Sequence, residues 1–467
     1  MSADIVDLTA ARRRRVALER GDHVELADRL RAELTRAGEL VHTEGDLHRY
    51  DAAHGVWSMV SASAQSVAVQ AYAGTMVGEK PKPLKLRASD IGGTLSLMHD
   101  RVASPGFFNN AKPGLVFANG FVEVTADGTR VHPHAASHGA RFRYPFAYEG
   151  TTAAPRWLAF LDALFRDDDD RDEKAAFLQE FTGACLFGLA PMFQRCAVAV
   201  GEGENGKSKF GQIIEAAMPP GSCVAIPPQD WGNEYRRAML AGRRFNMVTE
   251  LPESEIMASE PFKAVVSGEL IVGRQIREAP FQFRPVAGHY FAANRLPGTR
   301  DMSEGFWRRL VVVRFRRSFK DDPARNPRIA EEICASEMPG LVSWMVQGAV
   351  RLLRERAYTF PASHAREVEG WRRNADPVAL FIDEMTRPLA EGELGMQARD
   401  LYAAYRKWAA LSGHHSMAMN KFGERMGLLG KPAKKREDCN RYPVRLEDSG
   451  GLLEDFRGSA PAKNGGW

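Results

Sequence analysis

The stretch Cys196-Ala197-Val198-Ala199-Val200-Gly201-Glu202-Gly203-Glu204-Asn205-Gly206-Lys207-Ser208 decides the fold. Its apolar start reads as a strand buried on both faces, and it runs straight into a glycine-rich turn closed by a lysine and a serine. Lys209 to Met218 then carries a helical pattern that Pro219-Pro220 stops. Strand, turn and helix in that order satisfy the phosphate-loop pattern GxxxxGK[ST], and elementary chemistry explains each residue type. Glycines let backbone N–H groups turn inward around a triphosphate, and the helix N-terminus adds the positive end of its dipole. Lys207 reaches the β- and γ-phosphates in such a loop, and Ser208 holds Mg²⁺. Gly201, Gly203, Glu204, Asn205, Gly206, Lys207 and Ser208 are therefore the expected nucleotide-binding residues, with ATP and Mg²⁺ as cofactors.

Further along, Phe245 to Thr249 reads as a short strand ending in Glu250, where a phosphate-loop ATPase places the carboxylate that orders Mg²⁺ and polarises water. Thr249 stands where a first acid often precedes it, so Glu250 can serve the metal, the water or both. Gly288 to Ala293 is a third strand, ending in Asn294, a side chain suited to sensing the γ-phosphate; an Asn before a Pro-Gly turn also has a plain turn role. Phe306-Trp307-Arg308-Arg309-Leu310 then leads into the strand Val311 to Val313. An arginine inserted against a neighbour's ATP neutralises charge on the transferred phosphoryl, an effect worth about 10³ to 10⁵ in rate. Arg309 is the first candidate and Arg308 the second.

Working outward, the alternation of strands and helices from about Ala190 to Phe360 predicts an α/β domain with a largely parallel sheet. Upstream, residues 41 to 146 read as strand and turn, with turns at His54-Gly55 and Asn119-Gly120. His132, His134 and His138 lie close together without cysteine or carboxylate partners nearby in sequence, which suits loop residues better than a metal site. Arg12 to Arg15 form a basic arm ahead of a helix over Val24 to Leu40. An acidic run, Asp167 to Asp170, separates two helical patterns. Beyond Pro361 two short helices, Arg399 to Trp408 and Phe422 to Leu429, precede a basic strand-turn-strand over Lys431 to Leu446. The expected divisions are a basic arm and helix (1–40), an N-terminal α+β/helical domain (41–185), the ATPase domain (186–360), a winged-helix-like domain (376–447) and a disordered tail (451–467).

The 467 residues carry a net charge of +4 and a pI near 8.7, which permits a nucleic-acid partner without requiring one. Five scattered cysteines form neither a CxxC pair nor a zinc spacing, which suits a reducing compartment. No run approaches the roughly 20 apolar residues of a membrane span. A protein of the cytoplasm of a bacterial host cell, without membrane partners, is the expectation.

Read in order, these blocks resemble the superfamily 3 helicases, in particular the phage and plasmid primase-helicase branch. Gly203-Glu204-Asn205-Gly206-Lys207-Ser208 is similar to that branch's GxNGKS form, and Asn119-Gly120-Phe121-Val122-Glu123-Val124 with His132 to His134 is similar to the text that precedes the motor. Lys263, Ser267-Gly268-Glu269, Arg274, Asn294-Arg295-Leu296-Pro297 and Pro339-Gly340-Leu341-Val342-Ser343-Trp344 extend the likeness over roughly residues 110 to 350. The C-terminal match centres on Leu401 to Trp408.

The resemblance implies an AAA+-like phosphate-loop core, a hexameric homo-oligomer with ATP between subunits, and Arg309 acting on the adjacent subunit's nucleotide. It further implies a β-hairpin between Leu270 and His289 that grips single-stranded DNA, with Lys263, Arg274 and Arg277 as candidate contacts. Arg274 or Arg277 pairing with Glu278 is the plainer alternative. The stretch ahead of the match is too short for a full primase domain, so the expectation is a helicase part without a fused primase, with a separate primase or replication initiator as a possible partner.

The function expected is an ATP-dependent DNA helicase that replicates a phage, plasmid or satellite element. An alternative of a different class is a DNA-binding ATP switch that assembles at an origin and recruits a host helicase without unwinding. A phosphate-loop kinase has no use for the Asn294 and Arg309 blocks.

Overall fold

Five strands, β1 (Cys196–Val200), β2 (Cys223–Val224), β3 (Phe245–Val248), β4 (Gly288–Ala293) and β5 (Leu310–Arg314), form one sheet in the order β2-β3-β4-β1-β5. Every neighbouring pair is parallel. All residues of β1, β3 and β4 are buried, which is why they read as unbroken apolar runs; a strand covered on both faces has no solvent side to alternate with. The computed structural model describes residues 17–447 except 252–258, 277, 295, 297–300, 302, 324, 415 and 436–438. The basic arm at Arg12 to Arg15, Arg277 and the tail 451–467 lie outside the described residues. The chain divides into two units, 1–297 with 303–364, and 298–302 with 365–467.

In the first unit, helices α1 (Pro155–Phe165), α2 (Arg171–Phe187), α3 (Lys207–Ala217), α4 (Ser259–Val266) and α5 (Met338–Glu355) accompany the sheet. Helices α2 and α5 approach at backbone distance. A Cβ added at Gly183 would strike the backbone of Met345 and Ala349, and one at Gly348 the backbone of Gln179. The acidic run between α1 and α2 does more than separate them. Asp168 and Asp170 are buried and pair with the fully buried Lys174 at 2.8 and 3.1 Å, and Lys174 Nζ also donates to the carbonyl of Arg314 at 3.1 Å. A buried charge persists when it is paired and hydrogen-bonded, and this one ties α2 to the end of β5.

Upstream, residues 40–59 form a three-stranded antiparallel meander and residues 114–132 another. Both predicted turns occur, with positive φ at Gly55 and Gly120. Strand and turn alone do not fill this region, however, because helices Ala62–Gln70 and Ala88–Arg101 intervene. The second contains Gly92 and Gly93, which weaken a helical pattern by close to 1 kcal/mol each. Gly93 is there for packing, since a Cβ would strike the His23 ring of helix His23–Thr35.

The second unit runs helix Pro377–Met385, strand Met396–Gln397, helices Ala398–Leu411 and Met419–Leu428, then strands Lys434–Lys435 and Asn440–Tyr442. Asn440–Tyr442 pairs antiparallel with Met396–Gln397 and with Lys434–Lys435, and two further strands, Thr386–Pro388 and Val444–Leu446, pair antiparallel with each other. Phe381, Tyr405, Trp408, Phe422 and Tyr442 build its core. Arg425 Nε donates to the buried Asp376 carboxylate at 2.6 Å, joining the Met419–Leu428 helix to the start of the first helix.

Candidate nucleotide site and its surroundings

Parallel strands point all their carboxyl ends to one edge, and in open α/β sheets that edge is where ligands bind. Residues 201–206 leave β1 there and re-enter as α3. Gly203 and Gly206 have φ of +105° and +84°, values open to glycine at little cost. At Gly201 a Cβ would collide with the Asn205 side chain and the Phe315 carbonyl. The loop is braced from within and from outside. Lys207 Nζ donates to the carbonyl of Gly201 at 2.5 Å and to Asn205 Oδ1 at 2.9 Å, while Asn205 Nδ2 donates to the carbonyl of Phe315 at 3.1 Å. Burial pulls the Lys207 pKa below its ordinary value, which makes an anion at this loop a favourable counter-charge. Ser208, in the first turn of α3, is exposed at the loop mouth.

The register places the other candidates. Val248 pairs with Phe291 and Ala293 with Val200, so Glu250 stands level with Ala293 and Asn294 level with Gly201. Leu251 N donates to the carbonyl of Ala292 at 2.9 Å, holding the Glu250 turn against β4. Glu250 and Asn294 are both exposed. Because β4 lies between β1 and β3, the Asn294 strand end sits between the phosphate loop and Glu250. Lys207, Ser208, Asn294 and Glu250 thus share one edge. An exposed carboxylate and an exposed hydroxyl beside a lysine are a donor set that fits a magnesium–triphosphate.

Arg309 is elsewhere. Cys196 N donates to its carbonyl at 2.8 Å, which puts it at the amino edge of the sheet, about 16 Å from the loop by the length of a five-residue strand. Its side chain is buried; Nε and Nη2 donate to Ser267 Oγ at 3.1 and 2.6 Å, and Nη1 donates to the carbonyl of Gly305. Burial first, then the neighbouring Arg308 charge, lowers the Arg309 pKa. Arg308 is exposed and donates to Gln194 Oε1 at 3.3 Å. Neither arginine meets the phosphate loop of its own chain.

A hairpin stands between Leu270 and His289, with Ile271–Gly273 antiparallel to Phe281–Phe283. Arg274 Nε donates to the backbone carbonyl of Glu278 at 3.0 Å, and its guanidinium lies 3.8 Å from Glu234. The plainer alternative thus holds in part for Arg274, with the Glu278 backbone as partner. Near the tip Gln275 Nε2 donates to Asp46 Oδ2 at 3.3 Å, and Ile276 is strongly exposed. Lys263 Nζ donates to Ser303 Oγ at 2.9 Å. Of the three clustered histidines, His132 Nε2 lies 2.8 Å from Glu123, His134 Nε2 lies 3.2 Å from the Phe117 carbonyl, and His138 stacks on Phe121. Among the described residues no group of histidines, cysteines and carboxylates is arranged to hold a metal ion, and no helix is long and apolar enough to cross a membrane.

Residue spacing did not reveal the segment after β5. Phe319 N donates to the carbonyl of Glu204 at 2.8 Å, and Arg325 pairs with the Glu204 carboxylate at 2.9 Å. The one hint in the sequence is the basic run Arg314 to Arg317 after an apolar strand.

Comparisons with known proteins find a family model, two viral relatives and several solved structures. A family model described as "Family of unknown function (DUF5906)" matches residues 199–309, the span from β1 to Arg309. The chain is similar to "Putative helicase L207/L206" of Acanthamoeba polyphaga mimivirus, 23% identical over 238 residues, covering 45% of this chain and 24% of that protein. It is similar also to "Putative helicase 022R" of Frog virus 3 (isolate Goorha), 21% identical over 303 residues, covering 59% of this chain and 30% of that protein. The chain therefore spans less than a third of the length of these relatives. Among solved structures, "The A form apo structure of NrS-1 C terminal region-CTR" aligns with a TM-score of 0.49 at 9% identity, over 91% of this chain and 99% of that one. "The apo structure of NrS-1 C terminal region (305-718)" aligns at 0.43 and 9%, over 92% and 100%.

Proposed function

We propose that the chain is an ATP-dependent DNA helicase, a ring translocase on single-stranded DNA that serves the replication of a phage, plasmid or satellite element. The observation that carries this reading is the strand order. It sets a braced phosphate loop, Asn294 and Glu250 along one sheet edge and leaves the arginine pair on the opposite edge. A kinase needs only the first half of that arrangement; an enzyme whose sites are completed between subunits needs both. Relatives named as helicases support the same reading.

In this reading ATP sits on residues 201–208, and bound Mg²⁺, held by Ser208 and Glu250, supplies neutralisation of phosphate charge. Lys207 leaves its carbonyl and Asn205 partners for the phosphates, Asn294 orients water, and Arg309, with Arg308 second, serves the next subunit of a hexamer. Lys263, Arg274 and Arg277 contact the DNA backbone, where binding is electrostatic and independent of sequence. The helix-strand-helix-helix-hairpin order of the second unit suits a winged helix for duplex DNA or a partner such as a separate primase or initiator.

A strand-displacement assay tests this. ATP-driven unwinding is expected, and it should disappear in Lys207→Ala. One observation favours the alternative of an origin-assembling switch: the hairpin tip is held through Gln275 to Asp46 of the N-terminal meander. Assembly on DNA with ATP, but no displaced strand, would establish that alternative and remove the motor.

A further inference from the structure

The sheet order also gives a bound nucleotide a direction. Glu250 and Asn294 follow β3 and β4, both on one side of β1, so a γ-phosphate attended by them lies on that side of Lys207. The rest of the nucleotide then extends to the other side, across β5. A cleft opens there, lined by Arg166, Asp167, Arg317, Ser318, Asp321 and Asp322. One wall is the end of α1; the other is the segment that follows β5.

Both walls touch the phosphate loop. A Cβ at Gly206 would collide with Leu164 of α1 and come within 3.8 Å of the Phe319 ring. Phe319 N is already bonded to the Glu204 carbonyl. The walls are also tied to each other, since Arg317 donates to the carbonyl of Ala163 at 3.2 Å and to Asp322 at 2.6 Å. Asp322 is thus engaged in shaping the cleft. Asp167, Ser318 and Asp321 are exposed in it.

The chemistry of the lining selects the end of the ligand. Carboxylates repel phosphates and accept hydrogen bonds from hydroxyls, and the described residues that line the cleft are all polar or charged. We infer that this cleft takes the ribose of the nucleotide, with Asp167 and Asp321 accepting hydrogen bonds from its hydroxyls. The inference rests on the phosphate-loop reading above and adds to it the residues that recognise the nucleoside end.

Equilibrium binding to the full chain, in magnesium, with ATP, dideoxy-ATP and inorganic tripolyphosphate, tests it. The wild type should bind ATP more tightly than dideoxy-ATP, by about tenfold for each charge-assisted hydrogen bond removed. Asp167→Asn with Asp321→Asn should weaken ATP and erase that preference while leaving tripolyphosphate unchanged. Equal wild-type affinity for ATP and dideoxy-ATP, or a double variant that keeps the preference, overturns the inference. So does a double variant that loses tripolyphosphate in proportion. Lys207→Ala is the separate control: it should weaken all three ligands, and if it leaves tripolyphosphate binding intact, the phosphate-loop reading fails instead.

Discussion

The two edges of the central sheet are built on opposite principles. At the carboxyl edge, backbone conformation does the work: positive-φ glycines turn the loop, and Ser208, Glu250 and Asn294 stand exposed around it. At the amino edge, polar side chains are buried and bonded within the chain. Asn246 accepts from Ile226 N at 2.8 Å and donates to the Ile226 carbonyl at 2.9 Å and to His289 Nδ1 at 3.2 Å. Arg309 is held by Ser267 and Gly305. A ligand at the first edge draws Lys207 from partners within its own loop and otherwise meets exposed side chains, whereas at the second it must compete with the contacts that bury Arg309. The carboxyl edge is therefore ready to bind in isolation, and the amino edge acts only if something from outside competes for Arg309.

The largest effect expected from this contrast concerns the arginines. Arg309→Ala should lower ATP turnover by about 10³-fold or more, yet leave ATP binding to the isolated chain unchanged, because the residue lies on the far edge from the loop. Mixing Arg309→Ala with Lys207→Ala chains should restore part of the turnover, since a mixed interface can pair an intact loop with an intact arginine. ATPase rates of the single variants and of mixtures with proven co-assembly measure this. If Arg308→Ala causes the loss and Arg309→Ala merely lowers stability, the exposed arginine is the one that acts, and the buried one belongs to the structure.

The same contrast explains what could be read from the sequence. At the carboxyl edge, function is carried by short runs: the apolar strand, the glycines, Lys207, Glu250 and Asn294 each sit at a strand end, and strand ends are legible from apolar runs. The positions of β1, β3, β4 and β5 follow to within a residue or so, as do the turns at His54-Gly55 and Asn119-Gly120. The hairpin at 271–283 occurs where the resemblance places it. What stays hidden depends on distant residues meeting. Nothing local tells that Asp168 and Asp170 are buried around Lys174, or that Phe315 and Phe319 brace the phosphate loop from more than 100 residues away. The helix Ala88–Arg101 was masked by two glycines whose reason is a neighbour's ring, not a turn.

A middle-sized effect sharpens what holds Arg309. Ser267→Ala removes both of its hydroxyl contacts. If the arginine acts from its observed pose, turnover should fall about tenfold, the value of one or two hydrogen bonds to a charged group. If it must swing out to reach a neighbour, freeing it should leave turnover unchanged or raise it. Steady-state ATPase of the assembled protein separates the two, and with unchanged turnover Ser267 becomes a resting latch and not a positioning residue.

The smallest effect tests whether the amino edge is as dry as its contacts suggest. His289 is buried in β4 against Trp231, and burial drives its pKa down to about 3 from an ordinary 6.5. Between those values the unfolded chain binds a proton that the folded chain refuses. The stability His289 permits is therefore complete above pH 6.5 and declines as pH falls toward 3, by about 1.4 kcal/mol per pH unit. His289→Phe removes the titration while Asn246 keeps its Ile226 partners. Urea unfolding at pH 6.5 and 5.5 should then show the wild type losing roughly 1 kcal/mol more than the variant over that interval, less than the full slope because the unfolded histidine is only half protonated at pH 6.5, the other histidines cancelling in the comparison. Equal losses would mean that water or a proton reaches His289, and an edge open to water at β4 would let Arg309 exchange partners without competition from another chain.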